Sequence, residues 1–107
     1  MRDPSFLILV ALADQPLHGY GIISEVKRIS DERVKLGPGT LYGTLDRLKD
    51  EGLIEESGTE EVDGRLRRYY RISKGGLDAV RSEAADRAAT LRAAEERLAP
   101  RLRGASA

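Results

Sequence analysis

The 107-residue chain has no cysteine and no tryptophan, one phenylalanine (Phe6) and one histidine (His18). Without cysteine there is no disulfide, no thiolate metal ligand and no thiol nucleophile, and a cytoplasmic location is the simpler expectation. A single histidine without thiolates argues against a metal-sensing site. No Ser/His/Asp spacing surrounds it, and the carboxylates fall mostly on solvated helix faces, so the sequence predicts no enzyme, no metal and no cofactor. Flat aromatics are too few to furnish a stacking pocket for a planar drug. The longest apolar run, Phe6 to Ala13, is far short of the roughly 20 residues that span a bilayer. It lacks a basic leader and a small-residue cleavage site, and so predicts a buried helix, not a membrane partner or a signal peptide.

An excess of either charge is also missing: 18 Lys and Arg balance 18 Asp and Glu. That excludes a uniformly basic coat but not a local one. Arg65, Arg67, Arg68, Arg71 and Lys74 fall in ten residues that hold no acid, directly after Glu55, Glu56, Glu60, Glu61 and Asp63. Two readings are open at this level: two distinct surfaces, one of which meets phosphates, or a solvated hairpin laced by cross-strand ion pairs.

The chain length fits one domain with a modest core that a partner subunit would reinforce. Asp3 and Pro4 predict a helix start, with Asp3 as N-cap and Pro4 at the first position, running to Ala13. Its apolar residues go nearly all the way round, which predicts a central position or a subunit interface. A second helix is expected from about His18 to Ile29, with Ile22, Val26 and Ile29 inward. Val34 to Leu36 reads as a short strand. Gly37 and Pro38 restart a helix whose buried stripe is Leu41, Leu45 and Leu48, and Gly52 is placed to end it in the left-handed conformation. Leu53 to Ser57 and Leu66 to Ile72 predict a hairpin with a long polar tip, Gly58 to Gly64. Ser73 then caps a last helix from about Gly76 to before Pro100, and Arg101 to Ala107 reads as a frayed tail. The fold class expected is mainly α with a small β-hairpin.

The third helix carries the informative anomaly. Lys35 to Ile54 holds four glycines and a proline. At about 100° per residue, setting the leucines inward turns Gly39, Gly43, Asp46, Arg47 and Asp50 outward, flanked by Thr40 and Thr44. An interior glycine costs about 0.5 to 1 kcal/mol relative to alanine, and an outward one regains nothing from core packing. A bare outer face makes sense where another backbone must come close, and the DNA major groove accepts a helix by its N-terminal end. Tyr42 on the shoulder can donate to a phosphate or can pack in the core with its hydroxyl at the rim. Thr40 and Thr44 can reach phosphate or base edges, and Arg47 phosphate or guanine. Asp46 would repel phosphates unless it pairs with Arg47 or accepts from a cytosine amine. In the hairpin, alternation puts Leu66, Arg68, Tyr70 and Ile72 on one face and Arg67, Tyr69 and Arg71 on the other, with Tyr70 and Ile72 inward. Arg65 and Arg67 near the tip could then straddle a backbone beside the groove, as a wing does.

The stretches LHGYGI (Leu17 to Ile22), LGPGTLYGTLDRLKDEGLI (Leu36 to Ile54) and GRLRRYYRIS (Gly64 to Ser73) resemble the PadR-type winged helix-turn-helix transcriptional regulators over about residues 5 to 77. The resemblance implies a winged helix-turn-helix plus a long C-terminal dimerisation helix. It also implies a dimeric repressor on palindromic double-stranded promoter DNA, released by a small molecule. His18, Gly19 and Tyr20 would begin the second helix near the phosphates; Pro38, Gly39, Thr40 and Tyr42 would open the recognition helix. With Lys35, Thr44, Arg47, Arg65, Arg67, Arg68 and Tyr69 these make the expected DNA-binding set. Gly37 stands where the family usually has serine, which removes a hydroxyl cap, and Gly43 replaces a bulkier residue, so no base contact is expected from position 43.

The last helix repeats Leu77, Ala84, Leu91 and Leu98 every seven residues, a spacing that suits packing against another helix. A two-fold homodimer is expected from this helix and the first, through Phe6, Leu9, Val80, Ala84, Ala88, Leu91 and Leu98, with any small-molecule effector entering between the subunits. The expected organisation is a DNA-binding domain over 1–75, a dimerisation helix over 76–99 and a tail over 100–107. The rival reading is a winged-helix module that binds protein and no specific DNA.

Overall fold

The computed structural model describes residues 3–106, with side chains over 4–101. Its elements are α1 (Asp3–Leu12), β1 (Leu17–His18), α2 (Gly19–Ile29), α3 (Pro38–Asp50), β2 (Ile54–Val62), β3 (Arg65–Ile72) and α4 (Lys74–Ser106). The strands form one antiparallel sheet in the order β1-β3-β2.

Because α1 is apolar on nearly every side, it takes the centre. Ile8, Leu9, Ala11 and Leu12 are buried there against Ile22 and Val26 of α2, Leu41, Leu45 and Leu48 of α3, and Ile54 and Tyr70 of the sheet. The Asp3 cap lies outside the described side chains. On α2 the inward stripe stops at Val26, and Ile29 is exposed, contrary to expectation. The chain leaves the helix there through two non-glycine residues in the left-handed region, Asp31 (φ 53°) and Glu32 (φ 64°). The Glu32 amide donates to the Lys27 carbonyl (2.8 Å), and the Val34 amide donates to Ser30 Oγ (3.0 Å). Val34 to Leu36 is not a strand. The third strand is instead Leu17–His18, paired with β3 as Leu17↔Tyr70 and His18↔Tyr69.

Gly37 is the extended N-cap of α3 and Pro38 its first residue. Gly52, at φ +76°, ends the chain's passage out of α3 as a left-handed residue should. Ser73 ties three elements together: its hydroxyl donates to the Gly52 carbonyl (2.6 Å) and accepts from the Gly76 amide (3.0 Å). The Leu53 carbonyl passes so close to Gly76 that a Cβ there would collide with it.

The hairpin is tighter than expected. β2 runs to Val62 and β3 starts at Arg65, leaving only Asp63 and Gly64 in the turn, at φ 52° and 76°. Two consecutive positive φ values are what a two-residue turn needs to match the twist of its strands. The register slips by one between Glu56 and Gly58, leaving Ser57 as a bulge.

α4 also departs from expectation. It begins at Lys74 and stays helical through Pro100 to Ser106; a proline there forfeits one hydrogen bond four residues back without forbidding the helical φ. Its first turns lie on α1 and β3, with Val80 half-buried against the core. The rest projects, giving a molecule 65 Å long and 27 by 21 Å across. Among the described residues no helix is long and apolar enough to cross a membrane.

Candidate nucleic-acid interface

The buried leucines of α3 fix which side of the helix remains. Among the described residues, a Cβ at Gly37, Gly39 or Gly43 would meet nothing within 4 Å, so no other described part of the protomer uses that face. Asp46 and Asp50 continue the same line and are exposed. The helix thus offers a strip of nearly naked backbone at its N-terminal half, where its dipole is positive.

A cleft of about 630 Å³ lies beside this strip. His18, Gly19 and Tyr20 at the start of α2 and Tyr42 of α3 form one wall; Val62, Asp63 and Arg65 to Arg68 of the wing form the other. Tyr42 owes its position to Gly19: a Cβ on Gly19 would come within 2.6 Å of the Tyr42 hydroxyl. The ring lies over the first turn of α2 and remains 48% exposed, so Tyr42 is not part of the core. Tyr20 is 79% exposed. His18 meets the edge of Tyr69, with ring centroids 5.4 Å apart.

The wing does not separate its charges into two surfaces. Pairing sets Glu60 opposite Arg67 and Glu55 opposite Arg71, because each acid in β2 shares a face with the β3 residue it faces. Arg71 is tied to Glu55 at 2.7 Å, and Arg68 lies 3.8 Å from Glu56, which Lys49 also approaches at 3.6 Å. Arg65 and Arg67, both exposed, have no ion pair or hydrogen bond among the described residues. The ion-paired reading therefore holds for the base of the hairpin, and the phosphate-facing reading is left to its tip.

Of the residues expected to meet DNA, His18, Gly19, Tyr20, Tyr42, Arg65, Arg67 and Arg68 line one cleft, with Tyr69 packed on His18. Pro38, Gly39 and Thr40 are exposed in the first turn of α3 and Lys35 is exposed just before it, but none of the four lines the cleft. Thr44 is partly withdrawn, its hydroxyl donating to the Thr40 carbonyl at 2.8 Å. Arg47 is the clearest departure: its guanidinium is bonded to buried Ser5 of α1 and to Glu51 (3.1 Å), away from the cleft. The fold brings Ser5 to it from 42 residues away, a proximity the local pattern cannot show. Leu66 shares its strand face with the inward pair Tyr70 and Ile72 but is 66% exposed in the cleft wall. Alternation gave the correct face, but the tip extends beyond the core that would have covered it; the Asp63-Gly64 turn signal placed it there.

The residues expected at a subunit interface divide. Leu9 is fully buried in its own protomer and cannot reach a partner. Val80 is half-buried against the core, and Phe6 lies under the Arg87 guanidinium, 4.3 Å from its ring centroid. Ala84 is exposed and Ala88 partly so, while Leu91 and Leu98 are 60% and 53% exposed on the projecting part of α4. Burial pushes the Tyr70 hydroxyl above its ordinary range, with Glu56 adding to the shift. No group of three or more His, Cys, Asp or Glu that could hold a metal occurs among the described residues.

Comparison with known proteins agrees with this geometry. Residues 8–82 match the transcriptional regulator PadR-like family. A transcriptional regulator of Mycobacterium tuberculosis is 41% identical over 73 residues, which make up 68% of this chain and 64% of that protein. An uncharacterised 37.1 kDa protein of transposon Tn4556 in Streptomyces fradiae is 38% identical over 86 residues, 78% of this chain but 22% of that protein. The chain therefore spans less than two thirds of either relative. The crystal structure of Bacillus subtilis PadR in complex with operator DNA superposes with a TM-score of 0.68 at 24% identity, covering 78% of this chain and 47% of the other, and shares the fold. With the match running across most of its length, the chain belongs to the PadR-like family of transcriptional regulators.

Proposed function

We propose that the protein binds double-stranded DNA by laying the bare strip of α3 in the major groove while Arg65 and Arg67 of the wing grip the adjoining backbone. Two observations carry this: the α3 glycines whose outer side faces open space, and the cleft between Tyr42 of the same helix and the wing, lined by Arg65 and Arg67, which have no partner among the described residues. A side-chain-free helix face lets a polynucleotide approach closely, and unpaired cations beside it supply the counterion-releasing contacts that dominate affinity. The solved operator complex of B. subtilis PadR, which shares the fold, supports the same reading.

In finer detail, the protein acts as a dimeric repressor on a palindromic operator. The exposed Leu91 and Leu98 on the projecting α4 support pairing with a second copy. Two-fold symmetry would then set the recognition helices about 34 to 36 Å apart, one turn of DNA. The protomer's core is filled by side chains at or near zero exposure, so a small molecule that releases the repressor would bind between subunits. Size-exclusion chromatography with light scattering should give a dimer at micromolar concentration, and a Leu91→Lys, Leu98→Lys variant a monomer; a monomeric wild type would contradict the assembly.

Salt dependence distinguishes DNA binding from the protein-docking alternative. The log-log slope of affinity against salt should fall by about 2 in an Arg65→Ala, Arg67→Ala variant if each arginine neutralises one phosphate. An unchanged slope would favour the alternative, which the acids of β2 support.

A further inference from the structure

We propose that Asp46 is a specificity-determining residue of this interface, accepting a hydrogen bond from the exocyclic amine of a cytosine in the major groove. The inference rests on the DNA-binding reading above. Gly39, Gly43, Asp46 and Asp50 lie within about 60° of one another around the helix axis, and the first two bear no side chain. The first side chain met along the strip is therefore a carboxylate. An anion at that place is unfavourable beside phosphates unless something neutralises it, and the nearest cation in sequence does not. Arg47 is committed to Ser5 and Glu51, and Asp46 has no hydrogen bond or ion pair among the described residues.

Geometry limits what Asp46 can reach. At 1.5 Å per residue it lies roughly 10 Å along the axis from Gly39, directly after the bare part of the strip. Asp50, roughly 16 Å along, is in the last turn, farthest from the N-terminal end that contacts base edges. An ionised carboxylate only accepts hydrogen bonds. Guanine (N7, O6) and thymine (O4) offer only acceptors on the major-groove edge and would be rejected. Cytosine offers the N4 amine alone, and adenine offers its amine beside an acceptor, so cytosine is the best match. Repulsion from the wrong bases is what makes an acid useful here: it discriminates by penalty as well as by bond.

The test is selection of bound sequences from random duplexes by the full chain and by Asp46→Asn and Asp46→Ala. Wild type should show one position per half-site where cytosine is favoured roughly fivefold or more over guanine and thymine. Asp46→Asn should move that single position to adenine, which the amide can bond in bidentate fashion. Asp46→Ala should level it and tighten binding to unrelated duplex. Both changes are on an exposed face, and Asp46→Ala places a better helix former there, so melting curves will confirm that each variant is folded. Variants that select the wild-type sequence with the same preference at every position would overturn the proposal while leaving DNA binding intact. A wild type that selects no sequence would overturn the DNA-binding reading itself.

Discussion

Replacing Gly43 by alanine separates the needs of the fold from those of the function. Gly43 lies within α3, and nothing stands within 4 Å of where a Cβ would be. A methyl there meets no obstacle and restricts the unfolded chain, so Gly43→Ala should stabilise the protein by about 0.5 to 1 kcal/mol. At about 4 to 8 °C per kcal/mol for a domain of this size, the midpoint should rise by roughly 2 to 8 °C. Against DNA the same methyl stands about 1.5 Å proud of the backbone on the surface that must seat in the groove. Backing the helix off by about an ångström stretches contacts near 2.9 Å beyond hydrogen-bonding range. Losing two of them, at about 1 kcal/mol each, weakens binding roughly tenfold or more. Thermal melts followed by circular dichroism and fluorescence anisotropy on a labelled duplex read the two effects. A variant that melts lower would mean the face is packed within the protein. One that is stabilised and binds DNA as before would mean the glycine is not there for close approach.

Three other perturbations have outcomes set by the same coordinates. Gly19→Ala pushes on the Tyr42 hydroxyl, the free end of a side chain, so the melting midpoint should change little while DNA affinity falls; a large loss of stability would contradict the placement of Tyr42. Gly76→Ala drives a methyl into the Leu53 carbonyl and Ile72, and denaturant titration should show a loss of about 1 to 3 kcal/mol as α4 is forced away from Leu53 and the end of β3. A hydrogen bond from Arg28 holds the Glu25 carboxyl below the ordinary carboxylate range. The depressed value makes this contribution to stability complete above the ordinary range and lost as pH falls through the depressed pKa; in Arg28→Ala, an NMR titration of Glu25 should return upward.

The parts of the fold that were legible in sequence are those set by local periodicity. The leucine spacing of α3 placed its buried stripe and hence the bare strip, and Gly37, Pro38 and Gly52 marked its ends. β1 was illegible because two residues carry no period; Leu17 and His18 become a strand only by pairing with Tyr70 and Tyr69. Thr59 to Val62 looked like a polar loop because β2 is the edge of the sheet, where charged side chains are expected and guard against edge pairing. The Asp63-Gly64 pair was the better turn signal than the glycine at position 58. Leu9 and Arg47 were misplaced for one reason: both are bound by contacts made across the fold, in the core and to Ser5, and a helical wheel shows only which way a residue points.

The naked strip of α3 and the tip of the wing are proposed to meet one duplex together, and amide chemical shifts of ¹⁵N-labelled protein titrated with duplex DNA can show whether they do. Gly37, Gly39, Thr40 and Gly43 should shift in concert with Arg65 to Arg68, along one saturation curve. Shifts confined to the β2–β3 wing, with the α3 glycines unmoved, would contradict joint binding.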